Sequence, residues 1–126
     1  MRFIFSAVFA ASVAMSGAAY AAGAHDHSPK HGGIVVEAND MDFELVAKPD
    51  LITIHVRDHG KPASTKGATG KLTLLMGTEK TEVALAPAGD DRLEAKGSFK
   101  VGPGARMVAT VNLQGKKPAN VRFAIK

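Results

Sequence analysis

"IVVEANDMDFELVAKPDLITIHVR", residues 34–57, decides how this chain folds. Asn39-Asp40 and Pro49-Asp50 each suit a two-residue hairpin turn, which cuts the stretch into three antiparallel strands. With those turns Val36 opposes Phe43, which opposes Val56, and Ile34, Leu45 and Ile54 form the next apolar row. The opposite face carries Glu37–Asp42–Arg57 and Val35–Glu44–His55, with Arg57 beside two carboxylates. A slip of one residue would send every aliphatic side chain to the wrong face, so the register is strongly specified. This reading buries the aliphatic rows and leaves the charged rows, Glu44 among them, facing water.

The rest of the chain continues in the same manner. Short alternating runs broken by Gly, Pro, Asn and Asp predict strands near 33–38, 41–47, 51–57, 71–76, 81–86, 92–96, 105–113 and 119–125. No segment after Pro29 keeps a 3.6-residue period for three turns, so no substantial helix is expected there. Leu72, Leu74, Val83, Leu85, Met107, Ala109, Val111, Leu113, Val121, Phe123 and Ile125 take inward parity. An all-β, antiparallel immunoglobulin-like β-sandwich of about seven or eight strands accounts for this pattern. Residues 58–70, "DHGKPASTKGATG", are expected to form a long loop without regular structure.

Ahead of these strands lies an apolar leader. Arg2, the uncharged run "FIFSAVFAASVAMSGAA" (3–19) and the small-x-small site Ala19-Tyr20-Ala21 fit a secretory signal. The division expected is a signal peptide over 1–21, a flexible histidine-containing tail over 22–31 and a β-domain over 32–126. Export would place the protein in the periplasm, with no stable membrane insertion after cleavage. The chain has no cysteine, so packing rather than disulfides must hold it, and no thiolate is on offer to a soft metal. The formal net charge is +4, but the basic residues are scattered, with one Tyr and no Trp in the whole chain. Nucleic-acid binding needs a clustered basic face with stacking aromatics and is not expected.

Five histidines, His25, His27, His31, His55 and His59, all fall within residues 25–59. Neutral imidazole is the commonest ligand for borderline metals, and Asp26 and Asp58 add carboxylate oxygen beside it. The candidate ligands are therefore His25, Asp26, His27, His31, His55, Asp58 and His59, for Cu(II), Zn(II), Ni(II) or Co(II). Met41, Met76 and Met107 take inward parity and are read as core filler rather than a Cu(I) site. In a sheet of this register His31 and His59 lie at opposite ends, roughly 20 Å apart. A site joining His27 to His59 is then strained, and two separate sites are the simpler picture. Cleavage after Ala21 leaves a loose imidazole site from His25, His27 and His31. Cleavage after Ala22 would instead place histidine third, favouring square-planar Cu(II) or Ni(II), and cleavage after Ala24 would place His25 first.

Enzyme chemistry finds no foothold. "GATGKL" (67–72) lacks the full phosphate-loop pattern, and the serines show no nucleophile elbow. His55 opposite Glu44 reads as a cross-strand pair on a solvated face. "HGG", "IVVEANDMDFELV", "ITIHVRDHGKPASTKGA" and "GKKPANVRFAIK" together give residues 31–126 a family likeness. This region resembles a small domain near the N-terminus of periplasmic adaptor proteins of heavy-metal efflux pumps of the resistance-nodulation-division class, and related free-standing exported proteins. The resemblance implies interest in His31, Asp58 and the loop beginning at His59. It also implies a buffer or carrier of a divalent transition metal, associated with an efflux component. The alternative is an interaction module that docks on such a component without metal.

Overall fold

The computed structural model describes residues 27–126. The expected leader, with His25 and Asp26, lies outside the described residues. The strands run β1 (Ile34–Ala38), β2 (Met41–Ala47), β3 (Leu51–Asp58), β4 (Lys61–Pro62), β5 (Thr69–Met76), β6 (Glu79–Pro87), β7 (Arg92–Lys96), β8 (Arg106–Asn112) and β9 (Ala119–Ala124). No helix occurs among the described residues, so none there could cross a membrane.

Turn chemistry and parity set the first three strands as expected. Val36 pairs with Phe43 and Phe43 with Val56; Ile34 pairs with Leu45 and Leu45 with Ile54. Asn39 and Asp40 hold φ of 54° and 64°, the left-handed pair that a tight hairpin turn matching the strand twist demands. Lys48 and Leu51 exchange backbone hydrogen bonds of 2.9 and 3.3 Å across Pro49-Asp50. An aspartate in the left-handed region is tolerated but strained relative to glycine. Asp40→Gly should therefore raise stability by about 0.5–1 kcal/mol, read as a higher denaturant midpoint at unchanged slope.

The architecture differs from the sandwich expected. The strands follow one continuous path, β1-β2-β3-β7-β6-β5-β8-β9, with β4 added beside β3. β6 makes the difference. Along most of its length it pairs with β5, from Gly70↔Leu85 to Met76↔Glu79, and at its end Ala86 and Pro87 pair with Glu94 and Leu93 of β7. One strand thus carries the sheet round a corner where a sandwich would leave a gap between two sheets. The terminal strands β1 and β9 then come side by side, and the Asn39 side-chain amide donates to the Pro118 carbonyl at 3.1 Å. The result is a nearly closed barrel. Inward/outward alternation is the same in a sandwich and a barrel, so the strand pattern alone could not separate them.

One core fills the barrel. Phe43, Ile52, Ile54, Val56, Leu72, Leu93, Met107, Ala109 and Val111 are fully buried, with Leu45, Leu85, Val121 and Phe123 nearly so. Met41 and Met107 are buried in that core and Met76 packs partly against it. Residues 58–70 are more ordered than a loose loop. Lys61 and Pro62 pair with Asp58 and Arg57, Thr65 is fully buried with its hydroxyl donating to the Arg92 carbonyl, and Thr69-Gly70 already belong to β5.

The largest departure concerns the face read as solvated. Glu44 is 0% exposed, Asp42 4% and Arg57 5%. What covers them is the segment 27–33, which crosses the outside of β2 as a strap. The backbone N–H groups of Lys30, His31 and Gly33 donate to the Glu44 carboxylate at 2.8, 2.7 and 2.9 Å. Arg57 donates from Nη1 to Glu44 Oε1 and from Nη2 to the Ser28 carbonyl, each at 3.0 Å. The described part of the tail expected to be flexible is therefore tied down, because Glu44 offers its orphan amides an anionic acceptor.

Candidate metal centre

The β1–β2 hairpin puts Glu37 directly opposite Asp42. Facing cross-strand residues lie within a few ångströms, so two carboxylates meet near the turn. The strap brings a third group to them. From Gly33 it runs back past Glu44, and at its far end His27 Nδ1 lies 2.8 and 3.0 Å from the two Asp42 carboxylate oxygens. One donor atom each from His27, Glu37 and Asp42 fall within 4.8 Å of one another. His27 and Glu37 are exposed while Asp42 is buried, so an ion could enter from solvent yet meet a fixed anion.

Two ligands each about 2.1 Å from an ion, at 90–110°, lie about 3–3.4 Å apart. The His27–Asp42 separation is close to that spacing, so little movement would admit an ion between them. The three donors belong to a cleft of about 30 Å³ that Asp40 and His59 also line. This is room for an ion or a water, not for an organic ligand. One imidazole with two carboxylates is a nitrogen–oxygen set suited to a borderline divalent metal. No sulfur joins the cleft: Met41 instead lines the adjoining barrel mouth with Phe43, Val111 and Leu113.

The other candidates from sequence fall in three places. His59 lines the cleft from the end of β3, where its Nε2 lies 3.4 Å from Asp58 Oδ1. Asp58 also meets Lys116 Nζ at 3.6 Å and is held by that ion pair. The His27–His59 juxtaposition that looked strained is reached because the strap runs nearly the length of β2. His31 and His55 form a separate pair, stacked with ring centroids 3.6 Å apart and planes 9° from parallel. In-plane lone pairs on parallel stacked rings do not converge, so this pair is not a chelate. His25 and Asp26 lie outside the described residues.

Glu37 and Asp42 are donors that histidine composition and spacing do not single out. Both were visible as a facing pair in the register, but as outward charges rather than donors.

The electrostatics of the strap centre on Glu44. Burial alone would raise its pKa, but the hydrogen bonds from Lys30, Gly33, His31 and Arg57 outweigh it and hold the carboxyl at about 2. His55 is shifted down, first because burial disfavours its imidazolium and then because His31 lies against it. Its Nδ1 is buried without a hydrogen-bond partner. No family model, curated protein or solved structure matches this chain, and the likeness to efflux adaptors rests on the quoted motifs alone.

Proposed function

We propose that this protein binds a divalent transition metal, Zn(II), Cu(II), Ni(II) or Co(II), through His27, Glu37 and Asp42, and serves as a buffer or carrier. The observation that carries this reading is the meeting of one imidazole and two carboxylates within 4.8 Å of one another, built from a strap and a hairpin. His59 and Asp40 line the same cleft and would be the further ligands in this reading. The exported setting and the efflux partner rest on the leader and the sequence resemblance, and belong to this proposal.

A second reading has one observation in its favour. The 2.8 Å His27–Asp42 contact is already a good hydrogen bond, and without metal it would serve as a clasp that fixes the strap. Calorimetric titration of the four ions into the protein at pH 7.5 separates the two. Binding is expected, with His27→Ala and Asp42→Asn each weakening it at least tenfold and Glu37→Gln less. Glu37 and Asp42 lie outside the tail, so their loss also separates this centre from one made by tail histidines alone. No heat from any of the four ions, or unchanged affinity in both carboxamide variants, would leave the clasp as the better account.

A further inference from the structure

We propose that His31 and His55 are positioning residues for the metal centre: their stack holds the strap so that His27 reaches Glu37 and Asp42, and protonation of His55 frees strap and ion together. This rests on the metal-binding reading of the His27 centre.

Three attachments of the strap to the described barrel bear on the centre. Its middle is bound by Glu44, its far end by the Arg57 bond to the Ser28 carbonyl and the His27–Asp42 contact, and beside the Glu44 bonds the His31 ring lies on His55 of β3. The stack is the attachment whose geometry opposes a proton. Glu44, with its pKa near 2, stays ionised through the whole range in which histidines titrate.

The stack is different. In a neutral His55 the proton can sit on Nε2, leaving the buried Nδ1 as a bare lone pair that costs little. The imidazolium must carry N–H on both nitrogens, and the Nδ1 site provides no acceptor. The charged groups around His55 are divided. Asp91, ahead of β7, and Glu44 of β2 favour its cation, whereas His31 on the strap and Arg92 of β7 oppose it. Burial and His31 prevail. A proton on His55 is therefore accommodated only when the ring turns towards water or an acceptor, and that movement separates it from His31. The Lys30, His31 and Gly33 amides then lose their fixed approach to Glu44, and His27, four residues before His31, is no longer delivered to the cleft.

The experiment measures Zn(II) affinity of the full chain from pH 7.5 to 5.0 in the native protein, His31→Phe and His55→Phe. Phenylalanine keeps a flat ring for the stack and removes the proton. Whatever pH dependence the ligand set itself has remains in all three, so the stack is read as the difference between the profiles. The native protein should lose at least tenfold more affinity across that range than His55→Phe, whereas His31→Phe, which keeps the titrating His55 under a flat ring, should follow the native profile. In the metal-free native protein, hydrogen-exchange protection of the Lys30, His31 and Gly33 amides, corrected for the intrinsic pH dependence of exchange, should fall at least tenfold over the same range. It should stay constant in His55→Phe, which cannot take up the proton. Parallel affinity profiles in the native protein and His55→Phe, with constant protection in the native protein, would overturn the proposal. Loss of protection in a protein that binds no Zn(II) at pH 7.5 would instead overturn the metal reading and leave the acid release of the strap standing.

Discussion

Glu44→Lys should destabilise the protein as severely as Leu45→Lys, although the two side chains point to opposite faces of β2. Leu45→Lys places an ammonium inside the barrel core with no partner. Glu44→Lys places one beneath the strap, 0% exposed, where the side chain now accepts three backbone N–H bonds and the Arg57 guanidinium. Arg57 is itself buried, so the substitution sets two cations together and leaves three amides without an acceptor. Removing one partner of a buried ion pair costs about 3–5 kcal/mol. For a domain of this size that is a fall of roughly 12–40 °C in melting temperature, followed by circular dichroism. A Glu44→Lys melt within about 4 °C of the native protein, the shift that 1 kcal/mol gives, would show that the strap does not cover this face.

The same carboxylate fixes the response to acid. Its folded pKa of about 2 lies below the unfolded value, so its stabilisation is fully present above about pH 4.5 and is lost as pH falls towards 2. The difference corresponds to about 3 kcal/mol. His55, also shifted down, acts in the same direction at higher pH, its contribution falling away below about pH 6.5. Acid unfolding of the native protein should therefore show two successive losses of stability. Glu44→Gln should abolish the lower one and keep the upper.

The difference between the two faces of β2 marks where the sequence stops being informative. Val36, Phe43 and Val56 could be aligned from the chain because two-residue turns and period-two parity leave a single register that buries all of them. The same parity placed Glu44 outside, and in the pairing sense it is outside. Its cover is seven residues, "HSPKHGG", with no large aliphatic or aromatic hydrocarbon side chain to announce a buried contact. The strap is held by backbone amides on a carboxylate, and backbone amides are present in every sequence. Barrel closure was hidden for a similar reason, since it turns on two residues, Ala86 and Pro87, pairing with β7 after most of β6 has paired with β5. The metal centre lay between these cases. His27 stood out by composition, whereas Glu37 and Asp42 needed the register to be read as a statement about which carboxylates face each other.

Gly33→Ala should cost more than any other glycine substitution near the strap, and should remove the metal centre without touching a ligand. A Cβ at Gly33 would stand 2.1 Å from the Leu45 carbonyl oxygen, 2.9 Å from its carbon and 3.1 Å from Glu44 Cγ. The first two are backbone atoms of β2, held in place by pairing on both sides, so the strap must yield. Overpacking against fixed atoms costs about 3 kcal/mol. Displacing residue 33 also pulls its N–H from Glu44, and with it the turn that brings Lys30 and His31 to the same carboxylate. The melting temperature should fall by roughly 12–24 °C and Zn(II) affinity by at least tenfold. Gly32→Ala is the control. Gly32 has φ of +75° but open space around its Cβ position, so alanine there meets backbone strain alone, about 1 kcal/mol. If Gly33→Ala proves as mild as Gly32→Ala in both melting and Zn(II) binding, the strap does not lie against β2 at this point. The route by which His27 reaches Glu37 and Asp42 would then be wrong, because Gly33 is where the chain leaves β1 to cross back over Glu44.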